Sequence, residues 1–196
     1  LCLVILYAAL VVFNVIPVIG TVHVRGIFSD YDYTIMNNEV YLTKYRGDKT
    51  KVIIPDKVLF RTVVGIGTKK NVAATKKGTF QDNQKITSVK IPDTVKFIGA
   101  LSFTNCKNLT VAKLPDNLET IGEKAFAHTS IIQIVIPQKT QYIYGYAFLD
   151  CTKLIEANVG KSVKYMGNSV FGRTPWLEAK KDDFVVVGDG ILLKYF

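Results

Sequence analysis

Apolar residues recur along this chain in repeated units, at spacings of 23, 22 and 23. The units open at Ile91, Leu114, Ile136 and Val159. Each unit has an apolar residue seven positions later (Ile98, Ile121, Ile143 and Met166) and a phenylalanine five positions after that (Phe103, Phe126, Phe148 and Phe171). Because one such unit cannot bury its own apolar face, neighbouring units have to stack, and the period predicts a repeat solenoid.

A second apolar pattern closes each unit and predicts a β-strand. Three apolar residues stand at relative positions zero, three and five, as in Leu109, Ala112 and Leu114. The last two point inward and the residue between them points outward, as alternate side chains of a strand do. Pro115 and Pro137 follow two of these ladders, and proline ends a strand because it has no N–H to donate.

The motif IP-x-x-V-x-x-IG-x-x-x-F-x-x-C-x-x-L resembles the BspA-like (Treponema-type) leucine-rich repeat. The best-matching unit carries it at Ile91-Pro92, Val95, Ile98-Gly99, Phe103, Cys106 and Leu109. Four consecutive units match, and the resemblance covers about residues 51–177. The resemblance implies a secreted or surface-displayed protein associated with adhesion to host proteins, other cells or extracellular matrix.

The expected fold is an α/β-type repeat solenoid, a leucine-rich-repeat right-handed coil with short parallel β-strands on one side. Turns and short helical pieces are expected on the other side, near residues 100–104 and their counterparts. The units start near positions 54, 91, 114, 136 and 159. The first unit is degenerate, since the interval from Ile54 to Ile91 is much longer than the others. We interpret its excess, from Val63 to Gly78, as a long surface loop.

Two segments with the alternation and turn residues of β-hairpins flank the repeats. One surrounds Asn37-Asn38, and the other surrounds Gly188-Asp189-Gly190. The predicted domains are an N-terminal capping β-hairpin (25–50), the leucine-rich repeats (51–177) and a truncated C-terminal β-hairpin (178–196).

The segment 1–20 contains no charged side chain. A hydrophobic run from Leu1 to Ile16 is followed by Pro17, and Val18 and Gly20 then have the small-residue spacing of a cleavage site. This favours a secretion signal over the alternative, a membrane anchor, which needs about 20 apolar residues. Either interpretation places the repeats outside the cytoplasm, and membrane contact would come only through this segment if it stays uncleaved.

Cys2 lies in the hydrophobic segment, which leaves Cys106 and Cys151 for the repeats. These two stand at the same position two units apart, so strand spacings of about 4.7–4.9 Å predict a separation of about 10 Å. A disulfide needs Cα atoms within about 7 Å of each other. We therefore predict two buried free thiols that act as small apolar residues.

Candidate catalytic residues are few. The chain has two histidines: His23 follows the predicted cleavage site and is expected in a mobile terminus, and His128 is expected on the surface. No spacing of metal ligands appears, and Gly65–Lys70 lacks the spacing of a phosphate-binding loop. We therefore predict no enzyme, no metal site and no cofactor.

The formal net charge of +9 suits an acidic partner such as a sulfated glycan or another anionic polymer. The lysines are spread along the chain without an aromatic stacking motif among them, and export argues against a nucleic-acid partner. Two interpretations stay open, a functional basic patch and an ordinary solvated basic surface.

Strand alternation brings two outward-facing columns to one face of the predicted sheet. We call these eight residues the outer face: Ser88, Val111, Gln133 and Glu156 in one column, and Lys90, Lys113, Val135 and Asn158 in the other. Repeat proteins commonly bind partners through such a continuous surface. An ordinary solvated sheet face would have the same pattern.

Together these features predict a secreted or cell-surface leucine-rich-repeat protein that binds an extracellular protein or an acidic glycan. The alternative is a structural spacer that binds nothing, within a longer multidomain surface protein whose active domain lies elsewhere.

Overall fold

The computed structural model describes residues 21–24, 30–67, 77–181 and 184–195. The hydrophobic segment of residues 1–20, and with it the predicted signal or anchor, lies outside the described residues. Within the described ranges, no helix is both long enough and apolar enough to cross a membrane.

The described residues form sixteen β-strands and one short helix. In chain order they are β1 (Thr21–Val24), β2 (Tyr31–Met36), β3 (Glu39–Tyr45), β4 (Lys51–Ile53), β5 (Lys57–Val58), β6 (Arg61–Ile66), β7 (Ser88–Lys90), β8 (Phe97–Ile98), β9 (Val111–Lys113), β10 (Thr120–Ile121), β11 (Gln133–Ile136), β12 (Tyr142–Ile143), β13 (Glu156–Val159), β14 (Tyr165–Met166), α1 (Pro175–Glu178), β15 (Phe184–Val187) and β16 (Ile191–Tyr195).

The strands predicted from the apolar ladder pair in parallel, which confirms that part of the expected fold. β4, β7 and β9 form a three-stranded sheet, and β11 pairs with β13. Inward residues meet in register, with Val89 beside Ala112 and Ile134 beside Ala157. Burial alternates along β11 as exposed, buried, exposed, buried, because successive side chains of a strand point to opposite faces.

A second sheet contains the apolar residue at the seventh position of each unit, and the sequence pattern did not reveal it. β8, β10, β12 and β14 are two-residue parallel strands. They place Ile98, Ile121, Ile143 and Met166 side by side. Through β6 the same sheet continues to β3, β2 and β1. Each regular unit therefore contributes one strand of the apolar ladder, such as β9, and one two-residue strand of the second sheet, such as β10.

Residues 100–105 form turns, which were expected there, but no short helical piece forms beside them; α1 is the only helix among the described residues. Leu101 and Asn105 have left-handed φ angles of 59° and 60°, which a right-handed helix does not tolerate. The Phe103 N–H donates to the Ala125 carbonyl of the next unit at 2.7 Å instead of to its own turn. The later units repeat both left-handed positions, at Lys124, His128, Tyr146, Asp150, Ser169 and Arg173.

A column of stacked phenylalanines forms the centre of the core. The stack runs through Phe80, Phe103, Phe126, Phe148 and Phe171, with neighbouring ring centroids 4.8, 5.1, 5.3 and 5.2 Å apart. Every ring is at most 2% exposed. Tyr45 covers one end of the stack at 4.9 Å, and Trp176 of α1 covers the other at 4.8 Å. Aromatic side chains thus shield the terminal rings that no further unit covers.

The degenerate first unit contains a strand where a loop was expected. Residues 63–66 belong to β6, and Ile66 lies beside Ile98 in the second sheet. The interpretation of the segment from Val63 as a surface loop was therefore wrong over these residues, because Ile66 is 0% exposed and takes the place in the sheet that the seventh-position residue takes in the regular units. Residues 68–76 lie outside the described part of the chain.

Two hairpins lie at the ends of the described chain. β2 and β3 pair antiparallel around Asn37 and Asn38, whose φ angles of 49° and 65° suit a two-residue turn. β3 then pairs in parallel with β6, which attaches this hairpin to the second sheet. β15 and β16 form a separate antiparallel pair around Gly188–Gly190.

Candidate binding face

The outer face lies on β7, β9, β11 and β13. Seven of its eight side chains are exposed, and Ser88 is half-buried. The register of the sheets aligns Ser88 with Val111 and Lys90 with Lys113. It likewise aligns Gln133 with Glu156 and Val135 with Asn158 in the other sheet. The alternating burial of these strands places all eight residues on the solvent side.

β4 extends the outer face by two residues that sequence reasoning missed. Lys51 lies beside Ser88, and Ile53 lies beside Lys90. Ile53 is 73% exposed, the largest value among the exposed large hydrophobic residues of the described chain. The signal was available, since Lys51 precedes Ile54-Pro55 by three positions just as Ser88 precedes Ile91-Pro92.

A third column borders the outer face and changes character along the solenoid. Its members are Thr50, Thr87, Thr110, Ile132 and Ile155. The Thr87 hydroxyl donates to the Thr50 carbonyl at 3.1 Å, and the Thr110 hydroxyl donates to the Thr87 carbonyl at 3.2 Å. At Ile132 and Ile155 these polar contacts give way to aliphatic side chains that are 42% and 63% exposed. The border is therefore polar at one end and apolar at the other.

A cleft of about 690 Å³ opens on the outer face between β9 and β11. It is lined by Thr110, Val111, Ala112, Lys113, Leu114, Asp116, Ile132, Gln133, Val135 and Pro137. No strand ladder joins β9 to β11, although both strands are fully described. Four residues of the outer face lie around this cleft, so the break in the sheet lies within the predicted surface.

The two histidines lie in different elements and have different polar partners. His23 lies in β1 opposite Thr34, and its Nδ1 is 2.8 Å from the Thr34 hydroxyl, so the expectation of a mobile terminus was wrong. His128 is exposed as expected, and its Nδ1 lies 3.4 Å from Asp150 Oδ2. Arg173 contacts the same carboxylate at 2.5 Å. His128, Asp150 and Arg173 occupy the same turn position of three successive units, and their contacts link these units at the protein surface.

Cys106 and Cys151 are buried free thiols, as predicted. The Cys106 Sγ donates to the Phe80 carbonyl at 3.1 Å, and the Cys151 Sγ donates to the Phe126 carbonyl at 3.2 Å. Burial raises the pKa of Cys106 to about 12 and that of Cys151 to about 11. Both thiols therefore stay protonated near neutral pH, where a nucleophile would need to be a thiolate. Among the described residues, no group of three or more metal-ligating side chains occurs.

The family model of the BspA type leucine-rich repeat region matches residues 74–181 in six copies. This range is more than half of the chain. The chain belongs to the BspA-type leucine-rich-repeat family. The match includes all four regular units, with their phenylalanine stack and their short parallel strands. A comparison with curated proteins finds no match for this BspA-type chain.

Several solved structures resemble this BspA-type chain. A leucine-rich-repeat protein from T. pallidum is 28% identical with a TM-score of 0.66, over 72% of this chain and 64% of that protein. A leucine-rich cell surface protein from Faecalibacterium prausnitzii is 19% identical with a TM-score of 0.53, over 87% of this chain and 57% of that protein. A leucine-rich-repeat protein from Bacteroides capillosus is 24% identical with a TM-score of 0.51, over 79% of this chain and 93% of that protein.

The chain spans less than two thirds of the T. pallidum and Faecalibacterium prausnitzii proteins. At identities of 19% and 24%, the Faecalibacterium prausnitzii and Bacteroides capillosus proteins support the BspA-type fold alone. Any binding function of this chain therefore has to be inferred from its own surface residues.

Proposed function

We propose that this chain is the binding part of a secreted or cell-surface protein, and that its outer face contacts an extracellular partner protein in an adhesion-type interaction. The observation that carries the proposal is that aliphatic side chains are exposed on β4, on β9, on β11 and at the border of this face. Ile53, Val111, Val135 and Ile155 are 73%, 57%, 64% and 63% exposed. Apolar patches rimmed by polar groups are typical of interaction sites.

The charge of the face supports a partner with acidic groups. Lys51, Lys90 and Lys113 lie on neighbouring strands and are exposed. Glu156 is the one acidic residue among the eight of the outer face, and it lies on β13 at the far end. Complementary charge speeds association and disfavours wrong partners, whereas apolar contact supplies most of the affinity.

Membership of the BspA-type family supports a location outside the cytoplasm. The uncharged segment at residues 1–20 fits export by a secretion signal or an anchor.

The proposal is tested by measuring binding of the purified chain to extracellular matrix proteins, sulfated glycans and intact cells, at low and physiological salt. We expect saturable binding to a protein that survives physiological salt, because apolar contacts are not screened. The double variant Lys90→Glu and Lys113→Glu should weaken this binding. The double variant Lys107→Glu and Lys153→Glu makes the same change of charge on exposed turns outside the face, and it should bind normally.

Each other outcome has a definite meaning. Equal binding by both double variants would remove the outer face from the proposal. Binding to sulfated glycans that disappears at physiological salt would reflect net charge alone. No binding to any member of the panel would favour the structural spacer.

A further inference from the structure

The break between β9 and β11 coincides with the one shortened repeat. The starts of successive units have spacings of 23, 22 and 23, so the middle unit lacks one residue. Leu109 and Ile131 are one residue closer together in sequence than Phe103 and Phe126. The deletion therefore lies in the turn that leads into β11, where Thr129-Ser130-Ile131 replaces the longer Cys106-Lys107-Asn108-Leu109.

The shortened turn loses a hydrogen bond that the other units have. The Leu109 N–H donates to the Cys106 carbonyl at 3.0 Å, and the Leu154 N–H donates to the Cys151 carbonyl at 2.9 Å. Thr129 and Ile131 are fully described, and no such bond joins them. The chain consequently enters β11 by a different path from the one it takes into β9 and β13.

The altered path weakens the contact between neighbouring strands at this junction. The Thr110 N–H donates to the Thr87 carbonyl at 2.9 Å, and the Ile155 N–H donates to the Ile132 carbonyl at 3.0 Å. The equivalent bond from the Ile132 N–H to the Thr110 carbonyl is 3.4 Å long. No ladder follows it between the fully described strands β9 and β11, and the cleft opens at this place.

The chemistry of the cleft combines apolar walls with a basic edge. Its walls include Val111, Leu114, Ile132, Val135 and Pro137. Lys113 lines one side, and Lys90 lies beside it in register on β7. Asp116 lines the cleft but lies beyond the end of β9. The volume of about 690 Å³ falls within the range of about 300–1,000 Å³ that is typical of ligand pockets.

We infer that the cleft between β9 and β11 anchors an extended peptide segment of the partner protein, which inserts a large apolar side chain and directs neighbouring carboxylates to Lys113 and Lys90. This inference rests on the proposed function and places the centre of the proposed binding face at the cleft. The charge of the lysines selects an acidic segment, and the apolar walls favour a peptide over a sulfated glycan. Buried apolar anchors at the middle of an interface supply most of its affinity.

The probe is a library of random short peptides displayed on phage and selected against the whole chain. We expect the selected sequences to share an aromatic or large aliphatic residue flanked by Asp or Glu. The variant Val135→Ser should weaken the selected peptides about tenfold or more, because it removes an apolar wall of the pocket. The variant Val186→Ser makes the same substitution at an exposed valine of β15, outside both the outer face and the cleft, and as the matched control it should leave their affinity unchanged.

A second variant tests the cause of the cleft. One asparagine inserted after Ser130 restores the longer spacing of the other units and should allow β11 to pair with β9. The amides of β11 should then exchange their hydrogens more slowly, and the selected peptides should bind at least about tenfold more weakly. Slower exchange with unchanged peptide affinity would overturn the inference. If hydrogen exchange is not slowed, the insertion has not made β11 pair with β9. The affinities of Val135→Ser and its control then decide whether the inference holds.

The two proposals fail in different ways. If Lys90→Glu with Lys113→Glu abolishes binding of a matrix protein but Val135→Ser does not, the outer face stands and the cleft is wrong. Selected peptides without an acidic-apolar pattern, or a partner that proves to be a sulfated glycan, would also overturn the inference. If neither variant affects any binding, the proposed function itself fails.

Discussion

The rings of Phe126 and Phe148 lie parallel in the core, with their centroids 5.3 Å apart and an interplanar angle of 0°. Both side chains are 0% exposed. Because each ring fills the space between those of its neighbours, removal of one ring leaves a cavity that the adjacent units cannot fill without moving together.

The variant Phe126→Ala should therefore lower the free energy of unfolding by about 3–5 kcal/mol, as loss of a buried aromatic side chain does. Chemical denaturation followed by circular dichroism measures the change. The control is Ile155→Ala, which removes a side chain that is 63% exposed and should change stability by less than about 1 kcal/mol. Equal stability of the two variants would contradict the stack as the centre of the core.

The buried thiols predict a loss of stability at alkaline pH. In the unfolded chain a cysteine ionises at about pH 8.5, whereas burial raises the pKa of Cys106 to about 12 and of Cys151 to about 11 in the fold. Above about pH 8.5 the unfolded state loses protons that the native state keeps, so the native state is progressively destabilised until the buried thiols also ionise. The stabilising effect is complete below about pH 8.5.

Replacing both thiols, as Cys106→Thr and Cys151→Thr, should reduce this alkaline loss. Threonine fits because Thr129 and Thr174 occupy the same position in other units, where their hydroxyls donate to the Phe126 and Phe171 carbonyls. Denaturation midpoints of the two proteins should be compared between about pH 7.5 and 9, below the range in which most tyrosines ionise. Parallel midpoint curves over this range would show that the thiols do not contribute.

The tight hairpin between β5 and β6 has two bulky residues in a left-handed conformation. Leu59 and Phe60 have φ angles of 50° and 62°, and Phe60 is 70% exposed. Asparagine and glycine suit such a turn far better than leucine and phenylalanine. The double variant Leu59→Asn and Phe60→Gly should raise the unfolding free energy by about 1–2 kcal/mol, because the left-handed conformation costs about that much for a bulky residue.

Thermal unfolding measures this effect, and Phe60→Ala provides the control. Alanine removes the exposed ring but keeps a Cβ in the left-handed conformation, so its stability should stay close to that of the original chain. A destabilised double variant would mean that contacts of Leu59 outweigh the relief of backbone strain.

Trp176 covers the last ring of the phenylalanine stack. Its ring lies 4.8 Å from that of Phe171, and α1 holds it there by an N-cap in which Thr174 accepts a bond from the Leu177 N–H. The variant Trp176→Ala should cost about 3–5 kcal/mol and expose Phe171 to solvent. Limited proteolysis should then release the C-terminal part of the chain faster than in the Lys180→Ala control, which removes only the cation above the same ring. Equal cleavage rates would contradict a capping role.

Most of the core could be predicted from the sequence alone. The phenylalanine position, the inward ladder of Leu109, Ala112 and Leu114, and the buried thiols all follow from apolar residues at fixed spacing. The second sheet could not be predicted, because a two-residue strand such as β8 is too short to show an alternating pattern. The left-handed turns could not be predicted either, because residues such as Leu101 and Tyr146 have no preference for that conformation.

The candidate site divides in the same way. The outer face could be predicted from alternation along each strand. Lys51 and Ile53 could have been added to it, because they stand three positions and one position before Ile54-Pro55, as Ser88 and Lys90 stand before Ile91-Pro92. The one-residue deletion beside Ser130 was visible as a spacing of 22, but its consequence for β9 and β11 was not.

The sequence by itself determined the repeat period, the inward side chains and the family, because burial follows from the apolarity and spacing of residues within one unit. Only the tertiary structure decided which neighbouring strands form a ladder, how the N-terminal hairpin joins the second sheet, and where the cleft opens. Pairing between units depends on the path of the chain through the preceding turn. A deletion of one residue changes that path without changing the apolar pattern on either side.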